Sequence, residues 1–126
     1  MNIVRREEQV KMLKEEYGCE YVLNSSSENF FEEFNKIAKE MKIKCLVECV
    51  SGPITGKLME QLPSRSTVLF YGALTEQPIS EIDPVLFIGR QYTLEGWILG
   101  KYLVGKGLKI ISAIRHVQQL NRQKEF

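Results

Sequence analysis

At 126 residues, 44% of them hydrophobic and 26% charged, the chain has enough material for one domain with a core and too little for two ordinary ones. Its 17 basic and 16 acidic side chains nearly cancel, so it lacks the field that would steer it to nucleic acid or anionic lipid. No stretch approaches the roughly 20 apolar residues of a membrane span, and the charged opening from Met1 to Gln9 lacks the apolar core of a signal peptide, so an intracellular protein, cytoplasmic or in an organellar matrix, is expected.

Asn2 to Val4 read as a short extended segment ending at Arg5 and Arg6. Glu7 and Glu8 then open a helix on which Val10, Leu13 and Tyr17 recur at helical spacing, with Gly18 as its C-terminal cap. Glu20 to Asn24 are strand-like, and Ser25, Ser26 and Ser27 supply turn chemistry before a helix over about Glu28 to Met41. Phe30, Phe31, Phe34, Ile37, Ala38 and Met41 make the apolar face of that helix. Ile43 to Val50 form an apolar run interrupted by Lys44 and Glu48, as suits a strand buried on both faces of a parallel sheet, until Ser51, Gly52 and Pro53 break it.

A third helix is expected from about Ile54 to Leu62, stopped by Pro63, and a β-branched and aromatic strand from Ser66 to Tyr71. The loop from Thr75 to Asp83 leads through Pro84 into a short helix, Val85 to Ile88. A strand over about Gln91 to Leu99 follows, then helical sequence from Lys101 to about Arg122, interrupted near Gly105 and Gly107. This alternation implies an α/β fold with right-handed crossovers around a parallel sheet. Cys19, Cys45 and Cys49 have no metal-ligand spacing and are expected to be reduced, buried thiols.

In open parallel sheets ligands bind at the carboxyl ends of the strands. The informative turns are therefore Arg5 and Arg6, Asn24 to Ser26, Val50 to Gly52, Tyr71 to Leu74, and Gly96 to Ile98, although strand-to-helix turns also use small residues for purely local reasons. Two arginines ending the first strand suit the 2′-phosphate of NADP, where an acidic residue would suit the ribose hydroxyl of NAD. Alternatively they form a solvated pair bridging to Glu8 or Glu16.

Five segments in order resemble the medium-chain dehydrogenase/reductase superfamily (zinc-binding dehydrogenase family), in its zinc-independent quinone oxidoreductase and enoyl reductase branches. They are Val4 to Val10, Gly18 to Ser26, Val47 to Gly52, Leu62 to Leu74, and Leu94 to Leu99, together spanning residues 1 to about 105. The resemblance implies a single, incomplete Rossmann-type domain over residues 1–126, with a partial parallel sheet, helices on both faces and a helical tail from about 101 to 122. It implies that Tyr71, Gly72, Ala73, Leu74, Gly96 and Trp97 border the nicotinamide of NADP, that Ser51 and Gly52 lie on the adenosine side or central cleft, and that Arg5 and Arg6 meet the ribose phosphate. Val10 stands where the family often has a phosphate-binding lysine, and Glu48 where many relatives carry Asp.

The family domain opens with a strand, a Gly-rich turn and a helix holding the pyrophosphate, whereas this sequence resembles it from the second strand onward and contains no G-x-G-x-x-G. Weak or absent NADP binding by the chain alone is therefore expected, with no catalytic residue assignable in it. A missing central strand would leave open sheet edges. A homo-oligomer or a partner chain is expected there or along the strand from Gln91 to Ile98, the alternative being an ordinary edge with Trp97 as packing. The other reading of the whole is a non-catalytic structural or interaction subunit derived from the fold.

Remaining candidates are weaker. His116, the sole histidine, has no second ligand in view, so no metal site is expected. Thr55, Gly56 and Lys57 only loosely resemble a phosphate loop. Arg115, Arg122 and Lys124, like Glu32, Glu33 and Glu40, read as solvated helix charges.

Overall fold

The structure, a computed structural model, describes residues 1–122. They fall into two units, Met1–Glu95 and the segment from Gly96 onward.

In the first unit β1 (Asn2–Val4) leads into α1 (Glu7–Glu15), β2 (Val22–Asn24) and α2 (Phe30–Glu40). β1 and β2 pair in parallel, with Asn2 opposite Val22 and Val4 opposite Asn24. Gly18 takes a left-handed φ of 63°, and the Cys19 amide donates back to the Leu13 carbonyl at 2.9 Å, so the expected glycine cap is present. The helix itself stops earlier, at Glu15.

β3 (Cys45–Glu48), α3 (Pro53–Gln61) and β4 (Thr67–Phe70) make a second parallel pair, with Cys45 opposite Thr67 and Glu48 opposite Phe70. Pro53 occupies the start of α3, where its missing N–H costs nothing. Asp83 caps α4 (Pro84–Arg90) by accepting from the Val85 amide at 2.8 Å. β5 (Thr93–Gly96) then joins the far side of β4, the Thr93 amide donating to the Ser66 carbonyl at 3.0 Å. It starts later than the sequence suggests because Gln91 ends α4 in a left-handed turn, φ 54°, and cannot begin a strand.

The α/β class expected from the alternation is present, yet the strands do not form one continuous sheet. They form a two-stranded sheet, β1-β2, and a three-stranded sheet in the order β3-β4-β5, with no pairing between β1 and β3.

The core of this unit comes from spacing on α2. Phe30, Phe34 and Ala38 recur every four residues, all at most 1% exposed, and meet Leu23 of β2, Leu58 and Met59 of α3, Leu62, Val68 of β4, and Tyr92. Each large side chain so buried stabilises the fold by about 1.5–3 kcal/mol relative to exposure. Arg90 ties the far end of α3 to this core: its Nη1 donates to the carbonyls of Glu60 and Leu62, each at 2.9 Å, and lies 3.0 Å from the Tyr92 hydroxyl, which itself donates to Leu62 at 2.6 Å.

The cysteines depart from expectation. All three are free, but Cys45 is exposed and Cys19 and Cys49 only half-buried. Cys45 shares one side of β3 with Val47, which is also exposed.

The second unit holds α5 (Leu99–Leu103) and α6 (Gly107–Arg122), separated as expected at Gly105, which has φ 76°. The rings of Trp97 and Tyr102 lie 5.7 Å apart, tilted by 48°, and the Lys106 ammonium sits 3.3 Å from the centre of the Tyr102 ring. Ile111, Ile114 and Val117 recur along α6 and stand half-exposed. Lys124 lies outside the described residues.

Candidate cofactor site

Glu48 ends β3 with its side chain directed inward, 5% exposed. A buried carboxylate persists only if donors replace its water. Its Oε1 accepts the Val50 amide at 2.6 Å and the Ser51 amide at 3.2 Å, and its Oε2 accepts the Thr55 hydroxyl at 3.2 Å. The carboxylate thereby folds the β3–α3 turn around itself. Ser51, buried at 6%, takes φ 68°, and Gly52 follows at φ 86° to start α3.

The turn leaving β4 is stitched to this one. The Tyr71 amide donates to the Glu48 carbonyl at 3.0 Å, Leu74 to Cys49 at 2.8 Å, and Thr75 to Val50 at 3.0 Å. The Thr75 hydroxyl also reaches the Val50 carbonyl at 2.9 Å, and the Ser51 hydroxyl donates to the Gln77 carbonyl at 2.9 Å. The two turns approach closely at Gly72, where a Cβ would lie 3.2 Å from that of Cys49 and 3.3 Å from the Cys49 carbonyl oxygen. Ser51, Gly52, Tyr71, Gly72, Ala73 and Leu74, singled out from sequence, are thus brought together at the carboxyl ends of two adjacent parallel strands. Tyr71, Ala73 and Leu74 are exposed there.

The Tyr71 phenol is held above its ordinary pKa, first by hydrogen bonding to Cys49, then by electrostatic interaction with that side chain, by partial desolvation and by the charge of Glu48. At neutral pH it is a hydrogen-bond donor.

Arg5 and Arg6 end β1 with exposed side chains. Their backbone amides both point to Gln9 Oε1, at 3.3 and 3.1 Å, and the Arg5 carbonyl accepts the Ser26 hydroxyl at 3.0 Å. The alternative of a bridge to Glu8 or Glu16 is not realised: the ion pair found among the described residues is Lys57–Glu81, at 3.3 Å. That same pair occupies Lys57, while Gly56 beside it lies against the backbone of Ser80 and Glu81, so the loose phosphate-loop likeness serves packing.

Gly96 and Trp97 belong to the second unit, where open space surrounds Gly96 and Trp97 is 38% exposed against Tyr102. His116 is exposed on α6, and no cluster of metal-ligating side chains occurs among the described residues. No helix among them is long and apolar enough to cross a membrane. Thr75 and Gln77 were not singled out from sequence, and Thr55 only for its loose phosphate-loop likeness; the available signal was Glu48 itself, a charge inside an apolar run, which demands polar partners nearby.

Comparison with known proteins places this geometry. No family model matches the chain. It is 23% identical over 131 residues to the mitochondrial enoyl-[acyl-carrier-protein] reductase of Yarrowia lipolytica, an alignment covering 100% of this chain and 35% of that protein. Among solved structures, the NADPH:quinone reductase of Mesorhizobium loti superposes with a TM-score of 0.80 at 23% identity, over 98% of this chain and 36% of that one. The mitochondrial 2-enoyl thioester reductase heterodimer of Candida tropicalis superposes at 0.71 and 21% identity, with 98% and 36% covered. The chain spans about a third of the length of the relatives it matches.

Proposed function

We propose that this chain, which carries the fold of part of a medium-chain dehydrogenase/reductase cofactor-binding domain, supplies one wall of an NADP(H) cleft in an oxidoreductase. The observation that carries this reading is the stitched pair of turns, Ser51–Gly52 and Tyr71–Leu74, at adjacent strand ends, where such sheets bind ligands. The exposed guanidinium groups of Arg5 and Arg6 suit the 2′-phosphate. Hydride transfer is then the cofactor's chemistry, with a quinone or an enoyl thioester as the substrate classes that the relatives' names offer.

The pyrophosphate-holding turn and the groups that polarise the substrate come from outside these residues. The same reading assigns the chain to an oligomer, through β5 and the residues up to Ile98 or through the open sheet edges, in keeping with the heterodimeric relative. An organellar matrix is the compartment favoured by the mitochondrial relative.

Amide NMR shifts of the chain, titrated with adenosine 2′,5′-bisphosphate and with AMP, test it. Shifts confined to Arg5, Arg6 and their neighbours, and seen with the bisphosphate alone, are expected. Equal response to both nucleotides, or a response only at sites away from β1, refutes the assignment. Micromolar NADPH affinity in calorimetry would show that the chain needs no further phosphate-holding element.

A further inference from the structure

We propose that α5 and α6 bind an anionic lipid surface, lying in the headgroup layer of the bilayer and not crossing it. The near-cancellation of charge over the whole chain conceals a division between its two units. Residues 1–95 carry eleven basic and fifteen acidic side chains, whereas residues 96–126 carry six basic and one acidic, with no acidic residue from Gly96 to Lys124. Attraction to an anionic surface falls off within a Debye length, about 8 Å at physiological salt, so the local sign decides it and the sum over the chain does not.

The second unit also exposes the apolar side chains that such a surface takes up. At about 100° per residue, Ile110, Ile111, Ile114 and Val117 of α6 fall within an arc of about 120°, in which Gln118 is the one polar side chain between residues 109 and 118. Ile111, Ile114 and Val117 are each about half exposed. Arg115 flanks this arc on one side and Lys109 on the other, both exposed. Their long stems let the cationic heads reach headgroup phosphates while the apolar stripe enters the acyl boundary.

In and just after α5 the pattern recurs on a smaller scale. Leu99, Tyr102 and Val104 are exposed, as is Lys101, and the Lys106 ammonium lies over the Tyr102 ring. An aromatic body beside a cation suits the boundary between water and acyl chains.

Charge and apolarity together select this occupant. A second copy would set two cationic segments face to face, and nucleic acid would leave the apolar stripe in water. α6, at 16 residues, is too short to span a bilayer, so it lies on the surface.

The test is cosedimentation of the 126-residue chain with phosphatidylcholine vesicles, with and without about 30% phosphatidylserine. Emission from Trp97, the sole tryptophan, which lies against Tyr102, is followed alongside, because an indole emits at shorter wavelength when its surroundings lose water. Binding at least about tenfold tighter to the anionic vesicles, with such a shift, is expected. Ile114→Glu and Arg115→Glu, both at exposed positions, should each weaken binding at least about tenfold with the helical circular dichroism unchanged. Lys36→Glu, the same change of charge on the exposed surface of α2, should not. Equal binding to both vesicle types, no binding to either, or an equal loss with Lys36→Glu overturns the assignment. So does the same emission shift with heparin, a polyanion without an apolar phase. Ile114→Glu that abolishes self-association in light scattering while leaving vesicle binding intact would give the stripe to a second copy instead.

Discussion

The hydroxyl of Thr55 in the first turn of α3 donates to the carboxylate of Glu48 at the end of β3, closing a ring of 3.2 Å contact between a helix start and the strand that precedes it. Glu48→Ala removes the common acceptor of this hydroxyl and of two amides. Leaving buried donors unpaired costs about 1–3 kcal/mol, so a loss in that range in urea unfolding is expected. Glu48→Gln keeps an acceptor for the Val50 and Ser51 amides and should cost less than half as much. Equal losses for both variants would mean that the charge, not the shape, holds the turn.

Gly56 offers a sharper contrast with Gly89. A Cβ at Gly56 would sit 2.2 Å from the Ser80 carbonyl oxygen and 2.7 Å from that of Glu81, both backbone atoms. Gly56→Ala must push the 80–81 segment away, an overpacking cost of about 1–3 kcal/mol or more. Gly89 lies inside α4 with open space around it, so Gly89→Ala should stabilise by up to about 1 kcal/mol from helix propensity. Denaturant midpoints moving in opposite directions are the expected result; a shift of the same sign in both would contradict the packing at Gly56.

Tyr71 should titrate late. Its phenol stays neutral in the folded chain to a higher pH than in the unfolded chain, so the associated stabilisation is complete below pH 10.0, the ordinary tyrosine value, and is lost as pH rises through the folded pKa. Absorbance of the phenolate, assigned by difference against Tyr71→Phe, should show a midpoint above the ordinary value. Cys49→Ala should bring that midpoint down. If it stays in place, the sulfur is not the cause.

Self-association is expected through β5, all of whose residues are exposed. Leu94 is 39% exposed on this edge strand, and Leu94→Lys places a charge where two edges would meet. Light scattering should show the unsubstituted chain associating with concentration and the variant remaining monomeric. Identical masses for the two at every concentration would remove β5 from the interface.

Periodicity made the helices legible. Phe30, Phe34 and Ala38 are four apart, and four-apart apolar positions have few other uses, so the core of α2 follows from the letters alone. The alternation of helix and strand likewise carries the α/β class, and the ordered turns carry the likeness to medium-chain reductases that the structural superpositions bear out. Strand limits were less legible: Gln91 looks like strand sequence, and only its left-handed backbone, set by the end of α4, excludes it. The cysteines misled because an apolar run implies two covered faces, whereas the side of β3 that Cys45 shares with Val47 is exposed. At the site, Glu48 looked like an interruption; its hydrogen bonds span two to seven residues of sequence, within reach of local reasoning, but the stitches from Thr75 and Gln77 cross about twenty-five residues and depend on β3 and β4 lying side by side.

The Arg90 guanidinium also bears on how the protein comes apart. It cannot release the Glu60 and Leu62 carbonyls without also leaving the Tyr92 hydroxyl, and Tyr92 is itself bonded to Leu62. The end of α3 and the corner between α4 and β5, some thirty residues apart in sequence, are thereby made one opening unit. Hydrogen exchange at both places should proceed at a common rate under native conditions, and that shared breathing, rather than any single contact, is what the arginine contributes.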